Sequence, residues 1–163
     1  MCDYCSCREH DPIADLSADH ERLLNLSARV RTALRAGDET TAGRYLADVV
    51  ALLEPHAARE ERGLFAALAA DDVLRAALPA LLVEHDGLRA GPGNSPAEVG
   101  AFLDALAEHI DREEHDIFPA ASQLLDPAGW DIVLLAHAGA RPEGGGGPTD
   151  GQDVRAPDRD VRP

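Results

Sequence analysis

The chain has 163 residues, is 45% hydrophobic but only 4% aromatic, and carries a formal net charge of −15 with arginine but no lysine. That length predicts one domain with tails, and a core of Leu, Ala and Val suits packed helices. So acidic a surface repels nucleic acid and anionic membrane, so no partner of either kind is expected.

In chain order, residues 1–10 form a short Cys-rich head with no basic segment leading into an apolar run, so no signal peptide is expected. Asp11-Pro12 predicts a helix start, Asp as N-cap and Pro at the first helical position. Ile13, Leu16, His20, Leu23, Leu24 and Leu34 follow at helical spacing, and Gly37 closes the helix. Asp38 caps a second helix to about Ala70, in which Pro55 removes a backbone donor and predicts a kink just before His56. A third helix is expected over about 73–90, with Pro79 as a break. The stretch 91–96 is a loop. Ser95-Pro96 starts a fourth helix to about Leu125, disturbed near Pro119. Asp126-Pro127 opens a short fifth segment through about His137. From Ala138 the Gly-, Pro-, Asp- and Arg-rich sequence lacks periodicity and predicts a disordered tail. The expected organisation is a head over 1–10, an all-α, up-down-up-down four-helix bundle over 11–137, and a tail over 138–163. No apolar run reaches the roughly 20 residues of a membrane helix. The expected location is the cytoplasm, and the Lys-free, Ala- and Arg-rich composition suggests a GC-rich bacterial genome.

The bundle repeats internally. His56-Ala-Ala-Arg-Glu60-Glu61-Arg-Gly-Leu64-Phe65 is echoed by His109-Ile-Asp-Arg-Glu113-Glu114-His-Asp-Ile117-Phe118, and each copy follows another histidine, His20 and His85. Residues four apart on a helix share a face. Leu52, His56, Glu60 and Leu64 form one stripe, and Leu106, His109, Glu113 and Ile117 another. Leu16, His20 and Leu24 align on the first helix, and Leu81, His85 and Leu88 on the third. Six polar groups therefore fall on stripes expected to face the core. Burying them without partners costs several kcal/mol each. Either they hydrogen-bond among themselves, or two metal ions neutralise them, with imidazoles as terminal ligands and carboxylates bridging. Mixed nitrogen and oxygen ligation fits iron, manganese or zinc.

These motifs resemble the hemerythrin-like, or HHE cation-binding, domain over about residues 13–125. The resemblance implies a di-iron site held by His20, His56, Glu60, His85, His109 and Glu113. It also implies a role in binding dioxygen, in sensing oxygen, nitric oxide or redox state, in iron handling or in peroxide decomposition. Two positions depart from the oxygen-carrier pattern. Arg89 stands where carriers have a second histidine, four residues after His85. Glu114 stands where they have an aspartate, with Glu113 one step earlier. Both departures argue against reversible oxygen carriage. Ferritin-like sites use Glu-x-x-His, but Ser17, Leu53, Leu82 and Leu106 precede the four histidines by three. Glu61 and Glu114 are expected to orient ligand histidines or to lie at the surface. His115 and His137 are expected at the surface.

The head reads Cys2-x-x-Cys5-x-Cys7-x-x-His10. Its four soft ligands suit a second metal site for one zinc, or a redox site; the alternative is a head with exposed thiols. The leading functional expectation is a non-haem di-iron protein that binds or senses oxygen, nitric oxide or peroxide. The alternatives are a di-iron enzyme that decomposes peroxide or handles nitric oxide, and a module in which metal only staples the bundle. No separate acid–base group or cofactor motif demands an enzyme.

Overall fold

The computed structural model describes residues 11–70 and 74–139. The candidate site Cys2, Cys5, Cys7 and His10 and the expected tail from residue 140 lie outside them. The described regular structure is helical: α1 (Asp11–Arg35), α2 (Glu39–Arg59), a π-helical turn π1 (Glu60–Phe65), α3 (Ala66–Ala70), α4 (Leu78–Arg89), α5 (Pro96–Arg112), a second π-helical turn π2 (Glu113–Ile117), α6 (Phe118–Leu124) and α7 (Pro127–Ala138). None of these helices is long and apolar enough to cross a membrane.

Local sequence chemistry sets the helix ends. After α1, the Gly37 and Asp38 amides donate to the Leu34 and Ala33 carbonyls at 3.1 and 2.9 Å. This closure needs a left-handed residue, and Gly37 supplies φ +71°. Asp38 then caps α2 by accepting from the Thr41 amide at 3.0 Å. Ser95 and Glu98 form a reciprocal capping box at the start of α5, and Asp126 caps α7 through the Gly129 amide.

Two apolar layers fix the helix directions. Ile13, Leu16, Leu64, Phe65, Leu81 and Phe118 belong to one. Leu23, Val49, Leu53, Leu88, Leu103 and Leu106 belong to the other. α1 passes from the first layer to the second, α2 returns, α4 repeats the first direction and α5 the second. That alternation is an up-down-up-down bundle, with α1 beside α2 and α5, and α4 beside the same two helices. The four histidines lie where the chain crosses between the layers.

Several expectations are corrected. The third helix begins at Leu78, with Pro79 in its first turn, so this proline opens the helix instead of breaking it. Pro55 lies inside α2, as expected, and α2 continues to Arg59. The departure from α geometry comes at Glu60 and again at Glu113, where the Phe118 amide bonds the Glu113 carbonyl five residues back. Each π turn inserts one residue into the helix, so Glu60 and Phe65, like Glu113 and Phe118, are both buried at a spacing of five. The stripes also shift by one at two points. Leu23 and Leu53 are fully buried, whereas Leu24 and Leu52 are only partly so.

α7 lies across π1, α3 and α1. Gly63 permits its approach: a Cβ there would stand 3.0 Å from Ala136 Cβ and 3.4 Å from Val133 Cα. Gly63→Val is expected to destabilise the protein by about 1–3 kcal/mol through overpacking. A thermal melt checks this, and an unchanged midpoint would show that α7 yields freely.

Candidate metal centre

His20, His56, His85 and His109 are 1–2% exposed, and Glu60 and Glu113 are fully buried. Four helices supply them: α1 gives His20, α2 His56, α4 His85 and α5 His109, while Glu60 and Glu113 open the two π turns. The six side chains form two overlapping groups. His20, His56, Glu60 and Glu113 bring ligand atoms within 4.8 Å of one another, and so do His85, His109, Glu60 and Glu113. Both carboxylates belong to both groups, which is the geometry of a bridge.

The individual distances agree. His56 Nε2 lies 3.3 Å from Glu60 Oε2, and His109 Nε2 lies 3.3 Å from Glu113 Oε2. His20 Nε2 is 3.2 Å from Glu113 Oε2 and 3.7 Å from Glu60 Oε1. His85 Nε2 is 3.5 Å from Glu60 Oε2 and 3.9 Å from Glu113 Oε1.

A ring of carboxylates holds the outer edges of the imidazoles. His20 Nδ1 donates to Glu114 at 2.9 Å, His85 Nδ1 to Glu61 at 2.7 Å and His109 Nδ1 to Glu84 at 2.9 Å. His56 Nδ1 faces Asp19 Oδ2 at 3.8 Å, an ion-pair distance. A carboxylate only accepts, so each bonded Nδ1 carries the hydrogen and each neutral ring aims a lone pair from Nε2 at the centre. His85 Nε2 and His109 Nε2 then face each other at 2.9 Å. Two lone pairs at that distance repel unless a proton is shared between them or a metal cation lies against both. Two nitrogens about 2.1 Å from one ion, at right angles, stand about 3.0 Å apart, which matches.

Unsatisfied atoms concentrate here. His20 Nε2, His56 Nε2 and all four carboxylate oxygens of Glu60 and Glu113 are buried without a hydrogen-bond partner. Orphaned buried polar groups on this scale are costly. The residues therefore fit a pair of metal cations, which would satisfy every one of them.

Electrostatics demand positive charge at the same place. Burial opposes protonation of His56, yet the Glu60 charge and the Asp19 carboxylate outweigh it and push its pKa up to about 10. Burial likewise opposes charge on His20 and His85, and the facing glutamates raise both. Glu60 is held well below the usual carboxylate range against its own burial, because His56, His85 and His20 surround it. Protons supply that charge in the metal-free chain; divalent cations would displace them.

Glu61 and Glu114 orient His85 and His20, one of the two roles expected of them, and Glu114 is buried. Sequence reasoning missed Glu84, which does the same for His109, and Asp19, which stands at ion-pair distance from His56. It also missed Arg59 and Arg112, which bind Asp19 and Glu84. The signal was present in the repeat: Asp19 and Glu84 immediately precede a site histidine, and Arg59 and Arg112 immediately precede a site glutamate. Phe65 stacks on His85 and Phe118 on His20, with centroids 5.3 and 5.4 Å apart. His115 is exposed, as expected. His137 is half-buried, its Nδ1 donating to the Val133 carbonyl at 3.1 Å, so its expected surface position is corrected.

The fold and this centre define an all-α bundle protein with buried groups suited to binding metal cations. A family model described as the hemerythrin HHE cation binding domain matches residues 11–121, and the chain belongs to that family. No curated protein and no solved structure gives a significant match.

Proposed function

We propose that His20 and His56 hold one iron ion and His85 and His109 a second, with Glu60 and Glu113 bridging both. On this reading the chain is a non-haem di-iron protein that binds or senses oxygen, nitric oxide or peroxide. One observation carries it: two buried four-residue groups share both carboxylates, and most of their inward atoms have no other partner. Imidazole with carboxylate ligation also suits manganese or zinc; the family resemblance favours iron.

The residues divide the work. Four imidazoles present neutral Nε2 atoms because Glu114, Glu61, Glu84 and Asp19 face their Nδ1 atoms. Glu60 and Glu113 supply the negative charge that offsets the cations. Each group offers four protein ligands, which would leave room for a small external ligand on a bound ion. Leu16, Leu64 and Leu81 on one side, and Leu23, Leu53 and Leu106 on the other, exclude bulk water. When bound, iron supplies electrons and open coordination positions for a small oxidant.

The test is optical. Protein loaded anaerobically with ferrous iron should contain about two ions per chain. It should develop a ligand-to-metal band on exposure to oxygen, nitric oxide or peroxide. A spectrum indifferent to all three would mean that metal only staples the bundle. Rapid release of oxygen from peroxide would move the reading to a peroxide-decomposing enzyme.

A further inference from the structure

The two halves of the repeat differ in how one flank of the centre is covered. Between α1 and the joined α5 and π2 lies a cavity of about 80 Å³, lined by Leu24, Ala107 and Ile110, with buried His20 and Glu114 also on its wall. Its lining grades from exposed Asp111 and His115, through half-buried Leu24 and Ala107, to buried Ile110, Glu114 and His20. It therefore runs inward from the surface to the His20–Glu114 pair, at the outer edge of the His20 imidazole. Its volume holds two or three molecules the size of water, each occupying about 30 Å³ in the liquid.

The repeat assigns each of these residues a counterpart. Leu24 lies four residues after His20, as Arg89 lies four after His85. Ala107 lies two before His109, as Glu54 lies two before His56. Glu114 corresponds to Glu61. At the counterpart position the three side chains are tied together. Arg89 Nε donates to Glu54 Oε2 at 3.1 Å, and an Arg89 terminal nitrogen meets Glu61 Oε1 at 2.8 Å. One flank of the centre is thus strapped by a charged trio, where the other has two apolar side chains beside a cavity.

We propose that small reactants enter through the Leu24–Ala107 opening, and that Arg89, with Glu54 and Glu61, closes the equivalent route on the other side. The inference rests on the di-iron reading for what enters. The narrow walls select molecules of two or three heavy atoms. The Asp111 carboxylate at the mouth, on a chain of net charge −15, favours neutral ones over anions. Leu24 and Ala107 are then specificity-determining residues that belong to neither candidate metal-binding group.

The double substitution Leu24→Arg/Ala107→Glu transplants the closing pair, and Leu24→Ala widens the opening. The iron-loaded wild type and both variants are mixed with hydrogen peroxide and with tert-butyl hydroperoxide, and iron content is measured for each. Metal-free crystals are pressurised with xenon as a neutral guest. At equal iron content the double variant should react with hydrogen peroxide at least about tenfold more slowly, because access limits the encounter. Leu24→Ala should raise the rate with the bulky peroxide relative to the small one. Xenon should occupy the wild-type cavity and be lost in the double variant. A double variant that keeps its iron and reacts at the wild-type rate overturns the entry route and leaves the di-iron reading standing. If wild type ignores both peroxides, the peroxide reading falls. The xenon arm then decides the opening: no guest in wild type overturns it, and a guest lost in the double variant supports it.

Discussion

Glu60→Gln is expected to strip the protein of both metal ions, whereas His109→Ala should remove mainly one. Gln is nearly isosteric, so packing in the fully buried position is kept. The charge and the better ligand are lost, and Glu60 belongs to both four-residue groups, so both positions suffer. Losses of more than about 100-fold in affinity are expected, because even partners that only orient a ligand cost 10–100-fold. His109 belongs to a single group, so its loss leaves His20 and His56 with both carboxylates. Each variant should also melt lower than wild type in the presence of metal. A ligand at 100 times its dissociation constant stabilises by about 2.7 kcal/mol, and that term disappears with the ion. Metal analysis after gel filtration reads the stoichiometry. Equal losses in the two variants would contradict the shared role of Glu60.

The second large effect is a reversal of pH dependence between the metal-free and loaded forms. In the metal-free chain the pKa of His56 rises from 6.5 to about 10. A raised folded value gives stabilisation that is full below the unfolded pKa and is lost as pH climbs through the folded one. The metal-free protein should therefore lose stability between about pH 6.5 and 10, by no more than roughly 5 kcal/mol from this residue. Glu60, whose value is depressed, contributes in the opposite sense: its stabilisation is present above the usual carboxylate range and is lost in acid. Cations replace the protons on the imidazoles, so the loaded protein should hold its melting temperature through pH 9 and lose metal on acidification instead. Thermal melts with and without chelator, from pH 6 to 10, make the comparison. A chelated protein whose midpoint does not move over that range would show that the histidines are not charged in the metal-free fold.

Much of this was legible because the site is written twice. A lone His-x-x-x-Glu on a helix says little, but His56–Glu60 and His109–Glu113, each preceded by a histidine on an apolar stripe, specify four inward imidazoles and two carboxylates. Helix ends were legible for the same local reasons that make them: Gly37, Asp38, Ser95-Pro96 and Asp126 act through neighbours within a few residues. The π turns were not. A π turn is a rare single-turn insertion within an α-helix, and the apolar spacing on either side of it reads as continuous helix. The orienting carboxylates escaped because Asp19 and Glu84 sit one residue before His20 and His85, off the stripe that carries those histidines. They reach across to the neighbouring helices, and no within-helix spacing reports such a contact. Pro79 misled because a proline reads alike as the breaker of one helix and the opener of the next.

The most direct test of the central claim is an anomalous-difference map from crystals of the iron-loaded protein, measured at the iron edge. Two peaks are expected inside the bundle, one against His20 and His56 and one against His85 and His109. Glu60 and Glu113 should each contact both. A single peak, or none, with the six side chains hydrogen-bonded only to one another, would contradict it.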